Sequence, residues 1–284
     1  KFSAMLIFIS LWVLIVYVPV AHWVWGGGIL SSWGTMDFAG GIVVHATAGT
    51  AALITALTLG KRRGFPKSIT PPHSPILTMI GAAMLWVGWF GFNAGSALGA
   101  NGGAGMAMLV THISASMAAL VWMFIEWKRF GKPSLIGVVT GMVAGLATVT
   151  PASGYIGIPG GLVLGFSGGL LCYLAVDYIR GKLLIDDSLD VFAVHGVGGI
   201  LGTLLVAFLA TSTFSGLGLP EGQTAISQFV VQIKAVVLTV IWTSIFTYLI
   251  LKVTSLIVPL RVDEQEEIEG LDLRSHGEKG YHSD

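Results

Sequence analysis

Charge is scarce in this sequence: 15 Lys+Arg and 15 Asp+Glu make up 11% of its 284 residues, against about 25% in a typical soluble domain. That shortage excludes an ordinary cytosolic globule. Cysteine is scarcer still. Cys172 stands alone inside an apolar stretch, which excludes both a disulfide framework and a cysteine-based zinc site. What remains is apolar and small: 54% hydrophobic residues and 39 glycines, the latter about twice the usual share, as close-packed membrane helices require. The class is an all-α polytopic membrane protein. The few charges are unevenly placed, with 12 bases and 7 acids in residues 1–260 but 3 bases and 8 acids in 261–284. Two parts follow: a membrane domain over 1–260 and an acidic tail over 261–284.

A membrane-spanning helix needs about 20 mostly apolar residues. Residues 2–36, 38–60, 68–125 and 133–176 contain no Asp, Glu, Lys or Arg. The two longest gaps hold two helices each, broken at Gly99-Ala100-Asn101-Gly102-Gly103 and at Thr150-Pro151-Ala152-Ser153-Gly154. Eight helices are predicted, over 2–21, 37–60, 74–98, 104–127, 134–150, 156–180, 189–211 and 226–257. The connections then alternate in charge. Lys61, Arg62, Arg63 and Lys67 follow helix two, Lys128, Arg129 and Lys132 helix four, Arg180 and Lys182 helix six, and Arg261, Arg274 and Lys279 helix eight. By the positive-inside rule these loops and the C-terminus are cytoplasmic. Lys234, near the outer end of the last span, is expected to snorkel to the interface. The first residue is Lys1, and the apolar segment after it has no small-residue cleavage site, so it does not read as a signal peptide and a preceding segment is expected.

Ionisable groups inside spans are costly, which makes each a functional candidate. His45 lies in helix two, eight residues after Asp37, and His195 lies in helix seven, five residues after Asp190. The two helices run in opposite directions, and each histidine falls roughly 10 Å from its own end of the span at 1.5 Å per residue. Antiparallel placement of two related segments points to an inverted repeat. Three readings stand side by side: neutral histidines bridging packed helices, a pore lined by imidazoles that passes a small polar species or a proton, and bis-histidine ligation of haem or a metal. Asp37 and Asp190 are each expected to cap a helix, accepting its free N–H groups. On the outer side, Trp25 and Ser96 offer an indole face and a hydroxyl that suit a small cation, although interfacial belts also use Trp. Phe92 sits four residues below Ser96 on the same face, either as an aromatic plug or as a packed core ring.

At this point the motifs Ala21-His22-Trp23-Val24-Trp25-Gly26-Gly27-Gly28, Asp37-Phe38-Ala39-Gly40-Gly41 through His45, Trp89-Phe90-Gly91-Phe92-Asn93-Ala94-Gly95-Ser96-Ala97 and Asp190 through Gly199 occur in order. With Glu269-Gly270-Leu271-Asp272 and Ser275-His276-Gly277-Glu278 in the tail, they resemble the ammonium transporters (Amt/Mep/Rh), most closely the bacterial and archaeal Amt branch. The resemblance implies an ammonium transporter or channel rather than an enzyme. Trp25 and Ser96 would form the outer cation site, Phe92 the inner of two phenyl gates, His45 and His195 the pore pair, and Asp37 a support of the outer site. It further implies ammonium and methylammonium as cargo, a homotrimer in the cell membrane, a cytoplasmic tail that meets a PII signalling protein, and neither cofactor nor metal. No nucleic-acid partner is expected. The family has eleven helices in two inverted five-helix halves plus a long last helix. The match here begins at the fourth, so the first three helices and the outer phenyl gate lie outside this sequence, as in a piece of a longer transporter. The rival from another class is an ammonium sensor that signals through its cytoplasmic tail.

Overall fold

A computed structural model describes residues 1–68 and 71–281. Among these residues the chain is helical, with eight apolar rods in the predicted order. Helix α1 comprises Phe2–Trp12, a π-helical turn Val13–Tyr17 and Val18–Trp25. It is followed by α2 (Gly41–Leu59), α3 (Pro75–Gly95), α4 (Gly102–Phe130), α5 (Leu135–Val149), α6 (Ile158–Gly181), α7 (Phe192–Leu209) and α8 (Ala225–Ile257). Seven are long and apolar enough to cross a membrane, and the fifteen-residue α5 is shorter.

Start signals are written locally. Ser74, Asn101, Ser134 and Thr224 each place a side-chain oxygen on a free N–H of the first turn, of Leu77, Ala104, Gly137 and Ser227 respectively, each cap being worth about 1 kcal/mol. Gly131, at φ 76, closes α4 in the left-handed conformation that only glycine adopts without strain. Two predicted boundaries move by four residues. Helix α1 continues to Trp25, so that indole belongs to its last turn rather than to the loop after it. Helix α2 starts at Gly41 because the residues from Asp37 onward form its cap.

Small residues line the closest helix contacts. The small face of α4 around Ser114, Ala115 and Ala118 receives Gly145 of α5 and Gly165 of α6 at backbone contact. Lipid tails are as apolar as leucine, so such van der Waals contact is what drives helix association in a bilayer. Large apolar side chains such as Met84, Val87 and Leu256 point outward. Helix α8 packs along α1, α2 and α7 and joins the ends of the chain.

The basic loops gather on one face. Arg261 donates to the carbonyls of Leu59 and Lys61, Arg62 pairs with Asp186 at 3.2 Å, and Arg180 pairs with Asp190 at 3.1 Å. The tail docks on this face through a short helix α9 (Glu264–Glu269), whose Glu267 accepts from the Arg63 N–H and from the Arg261 guanidinium, each at 2.8 Å. Residues 282–284 of the tail lie outside the described residues.

Candidate functional site

Helices α2 and α7 cross because glycines let their backbones touch. A side chain on Gly49 would collide with the backbone of Gly196, and one on Gly199 would meet the Cβ of His45 at 2.6 Å. That crossing sets His45 and His195 face to face, with Nδ1 to Nδ1 at 3.2 Å and ring centroids 5.2 Å apart. Both histidines belong to π-helical turns, Gly41–Ala46 and Phe192–Gly196, a wound-out geometry frequent at functional sites. A nitrogen pair at this distance shares one proton, so the two rings hold opposite roles: one donates from Nδ1 and the other accepts. Nε2 of His45 is buried and has no protein partner among the described residues.

Aromatic rings bound the pair. Trp89 stacks on His45 at 5.3 Å and 17°, and lies parallel to His195 at 6.4 Å and 11°. Phe92, one turn further along α3, stands 6.2 Å from His45 and 5.7 Å edge-on from Trp89. The Trp89 indole N–H is fixed by Thr150 Oγ1 at 3.0 Å. In the sequence Trp89 stands out only as part of the Trp89–Ala97 motif. The signal available was its spacing, three residues before Phe92 on one helical face.

Toward the face opposite the basic loops, the Trp25 indole is half-exposed and its N–H donates to the Asp37 carbonyl at 2.8 Å. The buried Asp37 carboxylate accepts from the N–H groups of Gly40, Gly41, Ile42 and Val43 at 2.6–3.1 Å. One residue therefore ties Trp25 to the start of the His45 helix. Ser96 terminates α3 and gives its hydroxyl proton to the Phe92 carbonyl at 2.9 Å, which leaves its lone pairs as acceptors.

Asp190 does not cap α7. Its backbone adopts φ 56 and its carboxylate turns to Arg180 at 3.1 Å. The cap is Asp187, which accepts from Val191, Phe192 and Ala193 at 2.7–3.3 Å. Asp187 precedes His195 by eight residues, the spacing of Asp37 and His45. Burial pushes the Asp190 carboxyl up to about 6 despite Arg180, and it also raises Asp187 against its three backbone hydrogen bonds.

The profile of the Ammonium Transporter Family matches residues 1–281. The chain belongs to this family. It is 47% identical over 284 residues to ammonium transporter Amt1 of Archaeoglobus fulgidus, a match covering 99% of this chain and 71% of that protein. Its fold is similar to the crystal structure of Saccharomyces cerevisiae Mep2, with TM-score 0.83 and 35% identity over 93% of this chain and 62% of the yeast one. A sensor Amt protein is similar at TM-score 0.84 and 30% identity, over 92% of this chain and 67% of that protein. Its sequence relatives are named ammonium transporters, and among its described residues the chain carries seven helices long and apolar enough to cross a membrane. The chain spans 62% to 71% of these relatives' lengths.

Proposed function

We propose that the protein takes ammonium from water at Trp25 and Ser96 and conducts it as ammonia, with or without the proton, along the His45–His195 pair. The indole face attracts a cation through its quadrupole, and the free lone pairs of Ser96 accept an N–H of ammonium. Phe92 acts as the gate beneath them. Asp37 supports the outer site by holding Trp25, and Asp190 with Arg180 has a structural part on the opposite face. The basic face, with the tail over 261–284, is cytoplasmic, and 1–260 is the transport domain in the cell membrane. The assembly is a homotrimer whose cytoplasmic mouth meets a PII signalling protein.

The observation that supports this reading best is the shared-proton contact of the two histidines beside a buried, unpartnered Nε2. Carrying a bare cation through an apolar bore costs far more than carrying neutral ammonia. Potassium resembles ammonium in size but has no proton to lose, so deprotonation supplies selectivity that size does not. The test is flux into proteoliposomes down an ammonium gradient. Ammonium-dependent flux above that of empty vesicles is expected. Ammonium binding without flux would overturn the proposal in favour of a sensor.

A further inference from the structure

Two glutamines of α8, Gln228 and Gln232, are fully buried one turn apart. Burying a carboxamide is costly unless its hydrogen-bonding capacity is used. Gln232 uses all of it. Its Nε2 donates to the Met36 carbonyl at 2.7 Å and to the Thr203 carbonyl on α7 at 2.9 Å. Its Oε1 accepts from the Met36 N–H at 2.9 Å and from Gln228 Nε2 at 3.2 Å. Gln228 Nε2 in turn donates to the Gly34 carbonyl at 3.0 Å.

The carboxamide of Gln232 thus grips both backbone groups of Met36, as a neighbouring strand would. The next residue is Asp37, whose carbonyl holds the Trp25 indole and whose carboxylate holds the first turn of α2. The Trp25 acceptor, the Asp37 carbonyl, lies in the next peptide, whose Phe38 N–H donates to the Pro151 carbonyl at 3.0 Å, so Gln232 and Pro151 hold the two sides of Asp37. Leucine in place of Gln232 would strand the buried Met36 N–H and carbonyl, so the carboxamide serves the segment that leads into Asp37.

We infer that Gln232 is a positioning residue for the outer cation site: it fixes Met36, the residue next to the Asp37 whose carbonyl orients Trp25, with Gln228 bracing it from Gly34. The inference rests on the reading of Trp25 as the recruiting residue. Glutamate is no substitute, since a carboxylate has no N–H for the Met36 and Thr203 carbonyls.

The experiment is ammonium flux in proteoliposomes for Gln232→Leu, Gln232→Glu, Trp25→Leu and the double variant Gln232→Leu/Trp25→Leu, each first checked for monodisperse elution in detergent. Gln232→Leu and Gln232→Glu are expected to raise half-saturation about tenfold while maximal flux stays within about threefold, the pattern of lost binding rather than lost conduction. In the Trp25→Leu background Gln232→Leu should add less than about twofold, because both act through one site. A folded Gln232→Leu protein with wild-type half-saturation, or fully additive effects, overturns the inference while leaving Trp25 as recruiter. Unchanged half-saturation in Trp25→Leu alone overturns the recruiting role and the inference with it. Should Gln232→Leu fail to fold, Gln228→Met carries the test: a two- to threefold rise (roughly one weak hydrogen bond) is expected, and no change overturns the inference.

Discussion

Asp37 and Asp187 hold equivalent places at the starts of two antiparallel helices: each lies eight residues before a facing histidine and each carboxylate accepts successive backbone N–H groups of a π-helical turn. The carboxylates set the depth of His45 and His195 by fixing where each helix begins. Free N–H groups at a helix start attract negative charge, so the charge and the shape of the cap act together.

Asp187→Ala is therefore expected to be the more harmful change of the neighbouring acids. It strands three N–H groups, at a cost of about 1–3 kcal/mol for a buried group left unpaired. Asp190→Ala removes one ion pair with Arg180. Thermal melts in detergent should place Asp187→Ala clearly below Asp190→Ala, and the reverse order would contradict this assignment of the cap.

Asp190 also carries a pH signature. Its carboxyl sits at about 6 in the folded chain against an ordinary 3.8. Between those values the folded chain keeps a proton that the unfolded chain has released, so this contribution to stability falls as pH rises through the window and is level above it. Asp190→Asn should shrink the difference in melting temperature between pH of about 4.5 and about 6.5, leaving the share that comes from Asp187. A difference equal to that of the wild type contradicts the burial of this carboxyl.

The crossing of α2 and α7 depends on glycine. Gly49→Ala forces the helices apart against the Gly196 backbone, and overpacking of this kind costs about 1–3 kcal/mol. Gly88→Ala on α3 meets open space and should be neutral. The yield of folded protein and ammonium flux read both; equal behaviour of the two variants would contradict the close crossing.

The tail is held by Arg261, which reaches Leu59, Lys61 and Glu267. Hydrogen bonds from the Arg63 N–H and from Arg261 hold the Glu267 carboxyl below its ordinary value. Exposed ion pairs contribute little singly, so Arg261→Ala should loosen the tail without unfolding the membrane domain. Limited proteolysis within 262–281 should quicken while the melting temperature holds, and unchanged proteolysis would contradict the docking.

Much of this architecture was legible because a bilayer simplifies the pattern. Charge-free runs marked the helices, and the alternation of Lys61–Arg63, Lys128–Arg129 and Arg180–Lys182 fixed their parity. His45 and His195 stood out as imidazoles in apolar runs. Asp187 did not, because Asp186, Asp187 and Asp190 crowd one loop and only backbone dihedrals decide which of them turns toward α7. Trp89, Gln228 and Gln232 were hidden for another reason. Their partners Thr150, Gly34 and Met36 lie 61, 194 and 196 residues away, and no local periodicity records such pairings.

The most direct test of the account is the ammonium-to-potassium flux ratio in proteoliposomes for wild type, His45→Ala and His195→Ala. Wild type should prefer ammonium, and that preference should fall at least about tenfold in either variant, as expected for loss of a group acting on the cargo. An unchanged ratio with folded protein would contradict the role of the histidine pair.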